Sequence, residues 1–401
     1  MNERFDIVIV GGGVTGLAVA ALLAQCKQSG SLRLTLVDAA ARPEYTAADD
    51  IALRVSAIAT GSAEMLDGIG AWSTVQETRA CAYERMCVWD ESVPVTSRAT
   101  LNFDAAEFAV PQLGFIVENV LLQHAILAVL AQHDVEQLFA MPISSMRHDG
   151  QRYRLQLANG RELLADLVIG ADGAQSFVRQ SVGIQTQDWP YGQSAFVAHV
   201  SPEKPHRNTA WQRFLADGPL GMLPLSDGRI AVVWSMREER AAAAMAASDN
   251  ELGQMLTEAS DGVLGELRVA GERAAFPLCA RHAQHYVLPG VALIGDAAHA
   301  LHPLAGQGAN LGLQDAAVLA EVLESALANG EYPGDRPVLR RYERGRKGAN
   351  ASMLHFMTGL NRLFATDSAI IKRLRTTGMR LFSRSGPIRE HVVGVALGSR
   401  R

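Results

Sequence analysis

The sequence predicts an α/β protein in which a Rossmann-like domain carries an antiparallel-sheet domain and ends in a helical C-terminal tail. Three observations predict this. An apolar run, Phe5 to Val10, passes directly into Gly11-Gly12-Gly13-Val14-Thr15-Gly16 and then into an alanine-rich, helix-forming stretch. Between Pro190 and Trp234, apolar and polar residues alternate around turns at Asp217-Gly218 and Asp227-Gly228. Beyond Arg340, arginines are interleaved with large apolar side chains at helical spacing.

The chain of 401 residues is long enough for two domains or one with a large insertion, and 48% apolar residues can fill a substantial core. A net charge of −5 gives no global attraction to nucleic acid, so none is expected as a partner. The 4 cysteines show no Cys-x-x-Cys spacing and no disulfide framework, which suits a reducing cytoplasm. Cys26 and Cys279 are read as small apolar residues rather than thiol catalysts. The opening apolar run lacks a basic region before it and is too short to span a bilayer, and no later run reaches about 18 apolar residues.

Taken in order, Phe5 to Val10 reads as a strand and Leu17 to Leu23 as a helix. Gly11, Gly13 and Gly16 fit G-x-G-x-x-G in the strand–turn–helix setting that gives the motif its meaning. Such glycines make the tight turn, let a pyrophosphate approach the backbone and pack helix on sheet. A second strand, Leu32 to Val37, ends in Asp38, 22 residues after Gly16. That offset, near 20 residues, suits an acid accepting from a ribose hydroxyl. Arg42 to Asp50 is polar and irregular. Arg54 follows among apolar neighbours, either as a solvated charge or reaching across a ligand. Short alternating runs between Arg79 and Phe108 leave the first domain. Gly114 to Glu118 leads into a helix from about Val120 to Ala131, with Gln123 near its start. Strand-like pieces at Arg152–Leu157 and Glu162–Leu164 precede an apolar strand that closes on Gly170-Ala171-Asp172-Gly173. Arg179 is placed about two turns into the next helix. The aromatics of the alternating segment are read as a sheet core, with a large apolar cavity as the other reading. Ala241 to Ala275 reads as helical.

The chain is organised around Val291 to Asp315. A short buried strand, Val291 to Ile294, breaks at Gly295-Asp296. Pro303, Gly306, Gln307 and Gly308 then form an irregular loop that delivers Asn310 to a helix. Open N–H groups and the positive end of a helix dipole meet there, which favours an anion or an electron-rich carbonyl. An ordinary glycine-rich turn would read the same way in isolation. His299 and His302, like His282 and His285, have a spacing that could suit a metal. No acid or cysteine clusters with them in sequence, so no metal site is assigned. In the tail, Arg340, Arg341, Arg344, Arg346, Lys347, Arg373, Arg375, Arg380 and Arg389 stand among residues such as Met353, Phe356, Met357, Leu360, Phe364, Leu374 and Phe382. A basic amphipathic helix pair is either a surface for anionic lipid or a partner helix, or it packs on the body.

The glycine fingerprint, the Gly170–Gly173 segment and Gly295-Asp296 with His302-Pro303-Leu304-Ala305-Gly306-Gln307-Gly308-Ala309-Asn310, in this order, resemble the FAD-dependent aromatic hydroxylases of the para-hydroxybenzoate hydroxylase fold. Arg54-Val55-Ser56-Ala57-Ile58, Val117-Glu118-Asn119, Leu223-Pro224-Leu225 and Arg341-Tyr342-Glu343 are similar to the ubiquinone-biosynthesis hydroxylases within that fold. Tyr83 to Asp90, Phe103 to Glu107 and Thr209 to Gln212 lean towards the branch that includes the demethoxyubiquinol hydroxylase.

The resemblance implies an FAD-binding domain over 1–78, 109–182 and 277–340, a substrate domain over 79–108 and 183–276, and the tail over 341–401. It implies that Gly11, Gly13, Gly16 and Asp38 hold the adenosine-diphosphate half of FAD. Arg54 and Gln123 would contact the flavin side. Asp296, after Gly295, would meet the ribityl chain or pyrophosphate, and the 303–310 loop would lie at the isoalloxazine. Asp172 and Arg179 belong to a segment tied to both FAD and NADPH. No side chain is expected to act as nucleophile. The implied activity is hydroxylation of a polyprenylated phenol or benzoquinol in ubiquinone biosynthesis, with O₂ and NADPH, through a flavin 4a-hydroperoxide. A lipophilic quinol precursor gives the basic tail a use on an anionic membrane surface, placing a cytoplasmic protein peripherally at the inner membrane. Other ubiquinone-biosynthesis proteins and a second copy of the chain are further expected partners. A soluble hydroxylase of small phenols, and an FAD-stabilised subunit of a biosynthetic complex, are the alternatives.

Overall fold

The computed structural model describes residues 4–301, 307–365, 369–383 and 385–398. His302, Pro303 and Gly306 of the glycine-rich loop lie outside the described residues.

The strand Phe5–Val10 is central because both its faces are apolar; Ile7 and Ile9 are fully buried, as is Leu36 on its neighbour. It sits in a six-stranded sheet ordered Val287–Leu288, Val291–Leu293, Leu167–Gly170, Phe5–Val10, Leu32–Val37, Val135–Leu138. All neighbours are parallel except the first pair. The helix Val14–Gln25 covers the sheet and packs against Asn119–Leu130 and Gln307–Ala328. Strand registry places the polar groups. Val10 lies opposite Val37 on one side and Gly170 on the other, and Gly170 lies opposite Leu293. The glycine turn, Asp38, Asp172 and Asp296 therefore leave one common edge, at the carboxyl ends of parallel strands where such sheets bind ligands.

The second layer is an eight-stranded sheet, ordered His299–Ala300, Leu267–Ala283, Thr186–Pro202, Ile230–Arg237, Gly218–Pro224, Thr209–Leu215, Arg85–Asp90, Leu101–Asp104. It is antiparallel apart from Thr209–Leu215 beside Arg85–Asp90, which run parallel. Trp89, Phe196 and Trp234 are fully buried in its core. The helical expectation for Ala241–Ala275 holds for Glu238–Ala246 and Asp249–Ala259 and fails after them. Gly262 and Gly265 turn the chain at φ +59° and +72°, and Leu267–Ala283 is a 17-residue strand. Its alanines favour helix locally, but pairing along nearly the whole of Thr186–Pro202 satisfies its backbone and overrides that preference.

A three-stranded sheet of Val55–Ala59, Gly114–Glu118 and Cys81–Tyr83 lies at the junction, and a meander of Ile143–His148, Tyr153–Leu157 and Glu162–Ala165 forms a fourth sheet. The expected pair of tail helices is three: Arg336–Ala365, Ala369–Ser383 and Pro387–Leu397. They bury Tyr342, Leu354, Met357, Phe364, Met379, Val393 and Leu397, so the tail packs on the body. They also leave Leu374, Leu381 and Ile388 more than 60% exposed.

Candidate cofactor and substrate cavity

One cavity of 2080 Å³ runs from the common strand edge into the second sheet and under the tail. Ordinary small-ligand pockets reach about 1,000 Å³, so this one has room for more than one small molecule. Its first half is polar at defined points. Gly11, Gly13, Thr15, Asp38, Arg54, Gln123, Asp172, Asp296, Gly308 and Asn310 all line it.

The turn after Phe5–Val10 is held by Gly11 N–H donating to Val37 O at 2.8 Å. Asp38 accepts from the Gly12 N–H, and from Ala40 N–H at 2.6 Å, so its carboxylate stands beside the glycine turn. Gln123 Nε2 donates to Gly12 O at 2.9 Å, which places this residue at the same turn. The helix Val14–Gln25 begins at Gly13 with no side-chain cap, leaving its first N–H groups open towards the cavity. Gly16 is packing rather than lining: a Cβ there would stand 1.9 Å from Gly11 O.

On the facing side, Asp172 Oδ2 accepts from Val178 N–H at 3.0 Å, and its buried Oδ1 has no partner. Burial pushes this carboxyl up from its ordinary value. Asp296 is exposed and lines the cavity; the atoms crowded around it push its carboxyl up, opposed by His299 and Arg54. The Arg54 guanidinium stands 5.8 Å from the Phe276 ring. Gly295 takes φ +58° to make the turn before Asp296. Asn310 is buried; its Nδ2 donates to Ala57 O at 2.8 Å and its Oδ1 accepts from Ala59 N–H at 2.9 Å, clamping the cavity-lining strand Val55–Ala59. Gln307 opens the helix Gln307–Ala328, three residues ahead of the expected start.

Arg179 is the third residue of a five-residue helix, Phe177–Ser181, not two turns along it. Its guanidinium donates to Ala297 O and Ala174 O, both at 2.8 Å, and does not line the cavity. It braces the Asp296 turn from behind. His299 is fully buried against Asp315 and its ring neighbour Tyr286, and the described residues contain no cluster of metal-binding side chains.

The second half of the cavity is apolar. Met86, Val88, Leu101 and Phe103 contribute from the early strands, Trp211 and Phe214 from the sheet, and Met353, Met357, Leu360, Phe364, Met379 and Phe382 from the tail. The tail's interleaved methionines and aromatics are visible in the sequence, but not the direction they face.

Because Asp172 and Asp296 are held above the ordinary aspartate range, the folded chain binds protons there more readily than the unfolded chain does. Stability from this source is lost as pH rises from the unfolded value through the raised ones. Asp296→Asn is therefore expected to raise the melting temperature at pH 7 relative to pH 4. Thermal unfolding at both pH values checks this.

Open N–H groups at an uncapped helix start, an orphaned carboxylate oxygen and, among the described residues, empty space over Gly13 and Gly308 fit a dinucleotide with a pyrophosphate and ribose-like hydroxyls. Fold and cavity together define a dinucleotide-binding protein whose cavity continues into an apolar arm. Residues 4–357 match the FAD binding domain family, and the chain belongs to the FAD-dependent aromatic hydroxylases. It is an FAD-dependent monooxygenase. It is 37% identical over 402 residues to the 3-demethoxyubiquinol 3-hydroxylase of Escherichia coli (strain K12), covering 99% of each chain. It is 34% identical to the mitochondrial ubiquinone biosynthesis monooxygenase COQ6 of Homo sapiens, covering 98% of this chain and 92% of that one. Among solved structures, Pseudomonas aeruginosa PqsL superposes with a TM-score of 0.78 at 21% identity, covering 94% of this chain and 99% of that one. Klebsiella pneumoniae HpxO, complexed with FAD and uric acid, gives 0.74 at 17% identity, covering 99% and 97%. These two likenesses carry the fold alone.

Proposed function

We propose that the protein hydroxylates the aromatic ring of a polyprenylated phenol or benzoquinol in ubiquinone biosynthesis, using O₂ and NAD(P)H. The observation that carries this reading is the continuity of the cavity: a polar dinucleotide cradle opens into a long apolar arm. Bound FAD supplies the redox and oxygen chemistry. Gly11, Gly13, the helix start at Val14 and Asp38 would hold its adenosine-diphosphate half. Arg54, Asp172 and Asp296 would meet the remaining polar groups, and the N-terminal turn at Gly308 would favour negative charge on the reduced ring. The walls would keep water from the reacting ring, and the methionines and aromatics of the arm would hold an isoprenoid chain.

The tail supports docking on an anionic membrane. Arg373, Leu374, Arg380 and Leu381 are all exposed and repeat at a seven-residue interval, so cationic and apolar stripes run side by side on one helix. Leu374 also lines the cavity, so a bilayer docked on this face would meet the apolar arm. No described helix is long and apolar enough to cross a membrane. Charge reversal at Arg373 and Arg380 is expected to release the protein from phosphatidylglycerol vesicles in a flotation assay; retention at wild-type level overturns the docking role.

The test of the reaction is mass spectrometry of quinone intermediates in cells lacking this protein. A precursor one oxygen short is expected to accumulate, to clear with the intact gene and to persist with Asp296→Ala. A normal quinone profile overturns the substrate and points to a small phenol on the same flavin fold.

A further inference from the structure

The motif residues His299, Asp315 and Arg346 take no part in lining the cavity, yet they converge immediately behind it. Asp315 is completely buried. Its Oδ2 accepts from Gly295 N–H at 3.1 Å and from His299 Nε2. Its Oδ1 accepts from Arg346 Nε at 2.7 Å and Asn350 Nδ2 at 3.0 Å. Arg346 Nη2 also donates to Asn350 Oδ1 at 2.8 Å, so the two donors are fixed against each other. Each carboxylate oxygen thus takes two donors, and a charge otherwise very costly to bury is matched on both sides.

The place of this carboxylate gives it a purpose. Gly295 is the left-handed residue on which the chain turns, and Asp296, next along, faces the cavity. Arg346 and Asn350 lie on Arg336–Ala365, and later turns of that same helix present Met353, Phe356, Met357 and Leu360 to the apolar arm. We infer that Asp315 is a positioning residue for the cofactor edge: it fixes the Gly295–Asp296 peptide, while Arg346 and Asn350 lock it to the helix that walls the substrate arm. The geometry of the cofactor contact and of the substrate wall then share one rigid connection, because a buried, fully paired carboxylate has a single arrangement.

The test measures FAD itself. FAD affinity of the stripped protein is read by flavin fluorescence, the flavin midpoint potential by spectroelectrochemistry, and stability by thermal unfolding. Asp315→Asn replaces an acceptor oxygen by a donor amide, and is expected to weaken FAD binding by about tenfold or more and to shift the potential. Asn350→Ala removes one of the four donors to Asp315 together with the acceptor of Arg346 Nη2, and is expected to act in the same direction by a smaller factor; it carries the test if the first variant fails to fold. His299→Gln, which keeps a donor, is expected to bind FAD better than His299→Ala. Tyr342→Phe is the control, since the Tyr342 hydroxyl lies in the same buried layer but gives its hydrogen bond to Leu293 O, at 2.8 Å, and not to Asp315. It is expected to lower the melting temperature and leave FAD affinity and potential unchanged. Wild-type affinity and potential in folded Asp315→Asn or Asn350→Ala protein overturns the inference. So does an equal loss of affinity in Tyr342→Phe.

Discussion

A Gly11→Val chain is expected to lose FAD binding altogether. Gly11 sits at φ +113°, a conformation that costs a side-chain-bearing residue about 1–3 kcal/mol. A Cβ there would stand 2.3 Å from Ala171 O, 2.5 Å from Ala171 C and 2.8 Å from Asp172 N, all of them backbone of the adjoining strand end. Nothing flexible is available to yield. The strand end must move, and Asp172 moves with it, so both walls of the cradle open together. Gly13→Ala is the informative contrast. Gly13 has φ −70° and no atom within 4 Å of its Cβ position, so the folded chain accepts the methyl group. The methyl occupies space that the dinucleotide would use. Gly11→Val is therefore expected to lose both stability and flavin, and Gly13→Ala only flavin affinity. Bound-flavin absorbance and thermal unfolding of the two variants separate these outcomes.

The second large effect is expected at Arg375. This arginine is 4% exposed and reaches back to Phe364 O at 2.6 Å and Leu363 O at 3.2 Å. Its Nε lies 3.5 Å from Asp90 Oδ2, and Asp90 is fully buried at the end of Arg85–Asp90. The guanidinium also stands 5.2 Å from the Phe364 ring, which stacks on Phe214 at 3.8 Å. One side chain thus joins two tail helices to the eight-stranded sheet. Arg375→Ala takes the counter-charge from the buried Asp90, whose Oδ1 keeps its Ser92 donors, and leaves two carbonyls without theirs; it is expected to cost about 3–5 kcal/mol. Arg375→Met with Asp90→Leu removes both charges and is expected to recover most of that loss, because an apolar pair has no desolvation to repay. Chemical denaturation of the single and double variants measures the difference. Arg375 also lines the cavity, so the single variant is further expected to release peroxide at the expense of product as the arm admits water.

Much of the cofactor half was legible from local signals. Gly11 and Gly16 stand out because a positive φ and a 1.9 Å approach to Gly11 O each strongly favour glycine, and Gly13 because it completes the spacing at an open helix start. Asp38, Asp172 and Asp296 could be found as single acids at the ends of apolar strands. The role of Arg179 could not, since a sequence offset cannot say whether a guanidinium turns to a cavity or to the carbonyls of Ala297 and Ala174. The strand Leu267–Ala283 escapes a local reading for a related reason: its alanines carry a helical preference worth tenths of a kcal/mol each, and the partner that outweighs it lies some eighty residues upstream on Thr186–Pro202.

By itself the sequence determined where the parallel strands end, which residues make the glycine turn, and that a carboxylate follows each of three strands, because those properties depend on neighbours a few residues apart. Tertiary structure alone decided that the three carboxylates share one edge, that Asn310 clamps Ala57 and Ala59, and that four donors meet on Asp315. It also decided the direction of the tail. A helix with apolar residues on one face and arginines among them is satisfied equally by a bilayer, a partner or its own protein. Only the packing of Met357, Phe364 and Met379 against Val88 and Phe214 turns that face into the wall of a cavity.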